Sequence, residues 1–177
     1  MDTPDPLADP LAGSLVDPVQ TVADVPGGVV VGHDGSEAAA AALRWALDLV
    51  GRTGEQLHVV RAWRLTNAPR PATWRPGFVP PLQEWADAVR AELTDAVAAA
   101  VGTSGVPVTC HVVHGEPAQT LVEATAAADL LVVGARGRGG FAGLLLGSVS
   151  DQCVHHAQCP VTVVRLGAEP GPEPAGS

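Results

Sequence analysis

Short, continuously apolar runs alternate along this chain with stretches in which apolar residues recur every three or four positions. Gly28-Val29-Val30-Val31-Gly32 is β-branched and unbroken, as expected of a strand covered on both faces. Ser36 is placed to N-cap a helix running through Leu43, Ala46, Leu47 and Val50, with Gly51 as its stop. Leu57 to Trp63 reads as the second strand. A Pro-rich stretch from Asn67 to Pro81 follows, too broken for regular structure. Leu82, Trp85, Val89, Leu93, Ala96 and Val97 mark a long helical face ended by Gly102. Val106 to Val113 is a third strand, which Pro107 places at a sheet edge or a strand start. Pro117 opens a helix in its first turn. Leu130 to Val133 is a fourth buried strand, and a Gly-rich loop runs from Gly134 to Gly147. Ser148 to His156 is a short helix and Pro160 to Arg165 a last strand.

The order βαβαβαβαβ predicts an α/β fold, a parallel, doubly wound sheet with right-handed crossovers and helices on both faces. Ligands of such sheets bind beyond the carboxyl ends of the strands, where strand order reverses. That rule selects the loops after the first and fourth strands. Outside the alternation, residues 1–26 carry five Pro and five Asp with only scattered apolar positions, and are expected to be a disordered acidic tail. The end, 167–177, with Pro170, Pro172 and Pro174, reads the same way, leaving 27–166 as the domain.

Composition narrows the chemistry. The 177 residues include 10 basic ones, all Arg, so neither a Walker A loop nor a pyridoxal Schiff base is available. The net charge of -9 is mostly terminal: without seven acids of the two ends, 12 acids face 10 Arg. The nearly neutral body has no basic stripe for nucleic acid, and no apolar run is long enough for a membrane span. Three Cys without a CxxC pair fit reduced thiols and a cytoplasmic location. The N-terminus has neither the basic nor the apolar region of a signal peptide.

Two loops carry candidate chemistry. After the fourth strand come Gly134-Ala135-Arg136-Gly137, nine residues, then Gly147-Ser148-Val149-Ser150. The early glycines bring bare amides close to a ligand, and the helix opening at Ser148 attracts anions through its unpaired N–H groups and dipole. Ser148 and Ser150 add hydroxyls, and Arg136 and Arg138 add positive charge, a combination suited to phosphate. On composition alone the loop reads equally as a flexible connection before a Ser N-cap. After the first strand, Gly32-His33-Asp34-Gly35-Ser36 offers a carboxylate for ribose hydroxyls or a phosphate-bridging Mg²⁺. Asp34 taken alone reads as a turn residue.

From Pro26 to Leu166 the chain resembles the ATP-binding branch of the universal stress protein family. The branch's pattern G-x2-G-x9-G-[S/T] is met at Gly134, Gly137, Gly147 and Ser148. The opening Val-Val-Val-Gly-His-Asp-Gly-Ser, His114-Gly115-Glu116-Pro117 and Cys159-Pro160-Val161 fit as well. The resemblance implies a five-stranded sheet of order 3-2-1-4-5, which sets the first and fourth strands side by side. It implies that Gly134, Gly137, Gly147, Ser148, Val149 and Ser150 hold the ribose and phosphates of ATP. Asp34 is then near ribose and Mg²⁺, and Gly32, His33 and Ala62 line the adenine side. His33 departs from the small or aliphatic residue usual there. The resemblance further implies a homodimer joined through the last strand, Val161 to Arg165, and an unknown client protein.

The expected function is therefore an ATP-binding regulatory protein of stress or slowed growth. No general base with a positioned partner is evident, so any hydrolysis should be slow. Two other readings stay open: a true ATPase or nucleotidyl-transfer enzyme of the same fold, and a dimeric interaction module with an empty pocket. Gly35-Ser36 after Asp34 is not a pyrophosphatase S-G-G-x-D-S loop, which disfavours the enzyme. Gly137 to Ala142 formally matches G-x-G-x-x-G/A, but it follows the fourth strand and lacks the distal acid of a nicotinamide site. Cys153, His155, His156 and Cys159 do not have zinc spacing. Trp74 and Arg75 lie in the Pro-rich connection, which is either a lid or a surface loop patched onto the core.

Overall fold

Each apolar run becomes a strand and each periodic stretch a helix. The computed structural model describes residues 19–102, 105–137 and 145–166. In chain order the elements are β1 (Val29–Gly32), α1 (Glu37–Thr53), β2 (Leu57–Trp63), α2 (Leu82–Val101), β3 (Val108–His114), α3 (Pro117–Ala124), β4 (Leu130–Gly134), α4 (Ser148–His156) and β5 (Val161–Val164). All neighbouring strands are parallel, in the order β3-β2-β1-β4-β5. β1 is central: Val29 pairs with Leu57 on one side and Leu130 on the other. Strict alternation of side chains then builds two cores. Val29, Val31, Leu57, Val59 and Trp63 pack under α1 and α2. Val30, Val60, Leu131 and Val133 pack under α3 and α4.

α1 shows how sequence sets an element. Ser36 Oγ accepts from Ala39 N–H at 3.1 Å, and Ala39, Ala42, Leu43, Ala46 and Val50 form its buried stripe. Gly51 does not stop it. A Cβ at Gly51 would meet nothing nearer than Val106 Cγ2 at 4.0 Å, so the helix runs on. It ends at Gly54, whose φ of 76° supplies the left-handed cap, with Gly54 N–H donating to Val50 O.

The expected acidic tail lies outside the described residues up to residue 18. From Val19 the chain is already part of the packed body. Gln20 O accepts from His114 N–H at 2.8 Å and Val25 is buried in the second core. Val19 packs against the first core and Ala23 against the second. The tail expected at 167–177, and the Gly-rich motif at 138–142, lie outside the described residues. Among the described residues, no helix is long and apolar enough to cross a membrane.

The sheet also buries two histidines that strand reading alone does not bring together. His58 on β2 and His111 on β3 are 4% and 6% exposed, with His58 Nδ1 and His111 Nε2 3.0 Å apart. His58 Nε2 is buried without a hydrogen-bond partner. The shared proton is therefore assigned to His58 Nδ1, since the reverse tautomer would bury an orphan N–H. Burial pushes both imidazoles below their ordinary value of 6.5; the charge of His58 further lowers His111, and Asp24 counteracts in part. The buried face of α3 offers Thr120, Leu121 and Ala124, while Glu116 at its N-cap pairs with Arg64 and Glu123 accepts from Gln119. A lowered histidine pKa stabilises the fold fully above the unfolded value, and the benefit is lost as pH falls. Thermal denaturation should therefore show the melting temperature falling between about pH 7 and pH 5. The double variant His58→Leu/His111→Leu should flatten that slope, and an unchanged slope would contradict this assignment.

Candidate functional site

The central position of β1 and β4 brings their two exit loops together. They form one wall of a cleft of about 430 Å³ at the carboxyl end of the sheet. From the first loop come Gly32, Asp34 and Ser36; from the second, Gly134, Arg136, Gly137, Gly147, Ser148, Val149 and Ser150. Ala62 closes the β2 side and Leu121 of α3 the apolar floor. Such a volume lies within the range of small-molecule sites.

Contacts between the loops are close. Asp34 Oδ1 accepts from Ser36 N–H at 2.9 Å, and its Oδ2 lies 2.5 Å from where a Cβ on Gly137 would stand. The carboxylate thus lies against the loop where Gly137 carries no side chain. A Cβ on Gly147 would stand 3.6 Å from Gly137 N, so Asp34, Gly137 and Gly147 are contiguous. Gly147 N–H donates to Ala135 O at 2.8 Å and ties the loop's two ends.

The two helices that face this cleft start differently. α1 is capped by its own Ser36, but α4 begins at Ser148 with Gly147 as N-cap and no side-chain cap bond. The first-turn amides of an α-helix have no partner within the helix. At α4 they open onto the cleft beside Arg136, with the positive end of the helix dipole behind them.

Ser150 departs from expectation. It lines the cleft, but its buried hydroxyl is directed to Ala135 O at 3.0 Å and Gly147 O at 2.9 Å. It braces the loop rather than presenting its proton to a ligand. His33 is buried, donates its backbone N–H to Val60 O, and is not among the lining residues. Arg138 lies outside the described residues.

Several lining residues were not singled out as site residues by the sequence, Arg61, Asn67 and Leu146 among them. Arg61, a charge inside a fully buried strand, lines the cleft beside Ala62. Asn67 reaches it from the Pro-rich connection, its Oδ1 accepting from Arg64 N–H. Leu146 closes the approach to Gly147. The connection itself is pinned: Trp74 packs on the first core, Arg70 lies 4.1 Å above its ring, and Arg64 pairs with Glu116. The surface-loop reading of Trp74 thus describes its packing. Cys153 is buried while His155 and His156 are exposed. Among the described residues, no three metal-ligating side chains gather. Asp34 supplies the carboxylate among the described lining residues.

Comparison with known proteins places these features. The model of the Universal stress protein family matches residues 28–165. The universal stress protein Rv2005c of Mycobacterium tuberculosis is 39% identical over 140 residues, covering 77% of this chain and 45% of that protein. Rv2623 of the same organism is 38% identical over 138 residues, covering 77% and 44%. The chain thus spans about half the length of these relatives. Among solved structures, universal stress protein UspA from Lactobacillus plantarum is 27% identical with a TM-score of 0.62, covering 81% of this chain and all of that one. A universal stress protein in complex with cAMP is also 27% identical, with a TM-score of 0.56 and the same coverage. On the family match and on these identities, the chain belongs to the universal stress protein family.

Proposed function

We propose that this chain is an ATP-binding regulatory protein that takes its nucleotide, with Mg²⁺, in the cleft between the β1 and β4 exit loops. The observation that carries the reading is the uncapped start of α4, opening beside Gly137 and the Asp34 carboxylate. Phosphate oxygens satisfy the amides of Ser148, Val149 and Ser150 and are balanced by Arg136. Asp34 Oδ2 accepts from ribose hydroxyls or meets the phosphate-borne Mg²⁺, while Gly32, Ala62 and Leu121 enclose the base. The cAMP-bound relative supports an adenine nucleotide as the class of ligand. The bound state rather than turnover is the output of this reading. The protein acts in the cytoplasm on a client protein. Among the described residues β5 pairs only with β4, and its Val161–Val164 backbone edge suits a homodimer joined at that strand.

Mass spectrometry of small molecules released from freshly purified protein tests the ligand class. An adenine nucleotide near one per chain is expected. Release of a different ligand class at that stoichiometry would overturn the proposal.

A further inference from the structure

We propose that Arg61 sets the cleft's preference for highly charged nucleotides, and that Glu92 tunes it. The inference rests on the nucleotide reading of the cleft and concerns which nucleotide is favoured. Arg61 stands on β2, one residue before Ala62, and is 4% exposed. Its Nη1 lies 3.5 Å from His33 O at the exit of β1, and its Nη2 lies 3.8 Å from Glu92 Oε1 on α2. Glu92 is 32% exposed.

A guanidinium buried in a strand is expensive to desolvate, and an aliphatic residue would fill the same position without that cost. What the charge provides is reach. Arg136, the other described cation lining the cleft, is exposed and screened by water and salt. Arg61 acts through protein rather than solvent, where a charge is felt over a longer distance. The chain has no Lys to share the task. Each phosphate added to a ligand therefore gains from Arg61, and the partly exposed carboxylate of Glu92 subtracts from that gain.

The test is calorimetric titration of wild type, Arg61→Met, Arg61→Lys and Glu92→Gln with adenosine, AMP, ADP and ATP. Arg61→Met should weaken ATP roughly tenfold and AMP about twofold, leaving adenosine unchanged. Glu92→Gln should move ATP affinity the opposite way, and Arg61→Lys should keep the dependence on ligand charge. Circular dichroism melts establish which variants fold; should Arg61→Met not fold, the Glu92→Gln and Arg61→Lys results decide. A uniform loss across the four ligands, or Glu92→Gln weakening ATP, would overturn the inference. A wild type that binds none of the four removes the nucleotide reading itself. One that binds all four equally removes only the role of Arg61.

Discussion

Gly147→Asp is expected to abolish nucleotide binding while leaving the fold as stable as before. Aspartate is among the best N-cap residues, and Gly147 has the extended N-cap conformation, φ -80° and ψ 163°. A Cβ there would meet Arg136 Cα at 3.5 Å, an ordinary contact. The new carboxylate would accept from the first-turn amides of α4 and complement the helix dipole. It would thereby occupy the groups a phosphate needs and set a negative charge against it. The expected loss is at least about 100-fold in affinity, or ~2.7 kcal/mol. Gly147→Ala, which adds the bulk without the charge, should change affinity by less than about threefold. Titration with ATP and thermal melts of both variants check this. Full binding by Gly147→Asp would contradict the assignment of the α4 amides to the ligand.

The second large effect concerns stability. Gly134→Ala should cost about 3 kcal/mol, at the upper end of what overpacking a core usually costs. At Gly134 a Cβ would stand 2.7 Å from Ala38 C, 2.8 Å from Ala38 O and 2.9 Å from Ala38 Cβ. These are atoms of a helix rather than the far end of a flexible side chain, so α1 must move away from β4. α1 also carries Ser36 and Ala39 into the cleft, so affinity should fall with stability. Denaturant unfolding measures the first. Gly32→Ala is the contrast: its nearest neighbours are Leu121 Cδ1 at 2.8 Å and Cδ2 at 3.2 Å, side-chain tips that can rotate. Equal costs for the two variants would show that close helix packing is not what Gly134 serves.

Both effects concern glycines that the sequence already marks, because the spacing of Gly134, Gly137 and Gly147 is visible without coordinates. The alternation of strands and helices was equally legible, since apolar runs and periodic stretches are local properties. α1 overran its expected stop because Gly51 has room for helical geometry, while the left-handed residue that ends the helix is Gly54. What stayed hidden depends on register between strands. His58 and His111 are 53 residues apart, and only the β2–β3 pairing places their rings together. Arg61 was passed over because charge in a buried strand contradicts the pattern that identifies the strand. His33 shows the converse, a residue of the expected loop that is buried, donates its backbone N–H to Val60 O and is not among the lining residues. Ser150 lines the cleft, yet its hydroxyl bonds the loop's own carbonyls, a partner choice that spacing does not reveal.

Calorimetric titration of the full chain with ATP in excess Mg²⁺ tests whether the two exit loops jointly grip an adenine nucleotide by its phosphates. Saturable binding of one nucleotide per chain is expected, lost in Gly147→Asp. No saturable heat up to millimolar ATP, from protein shown to be folded and free of copurified nucleotide, would contradict it.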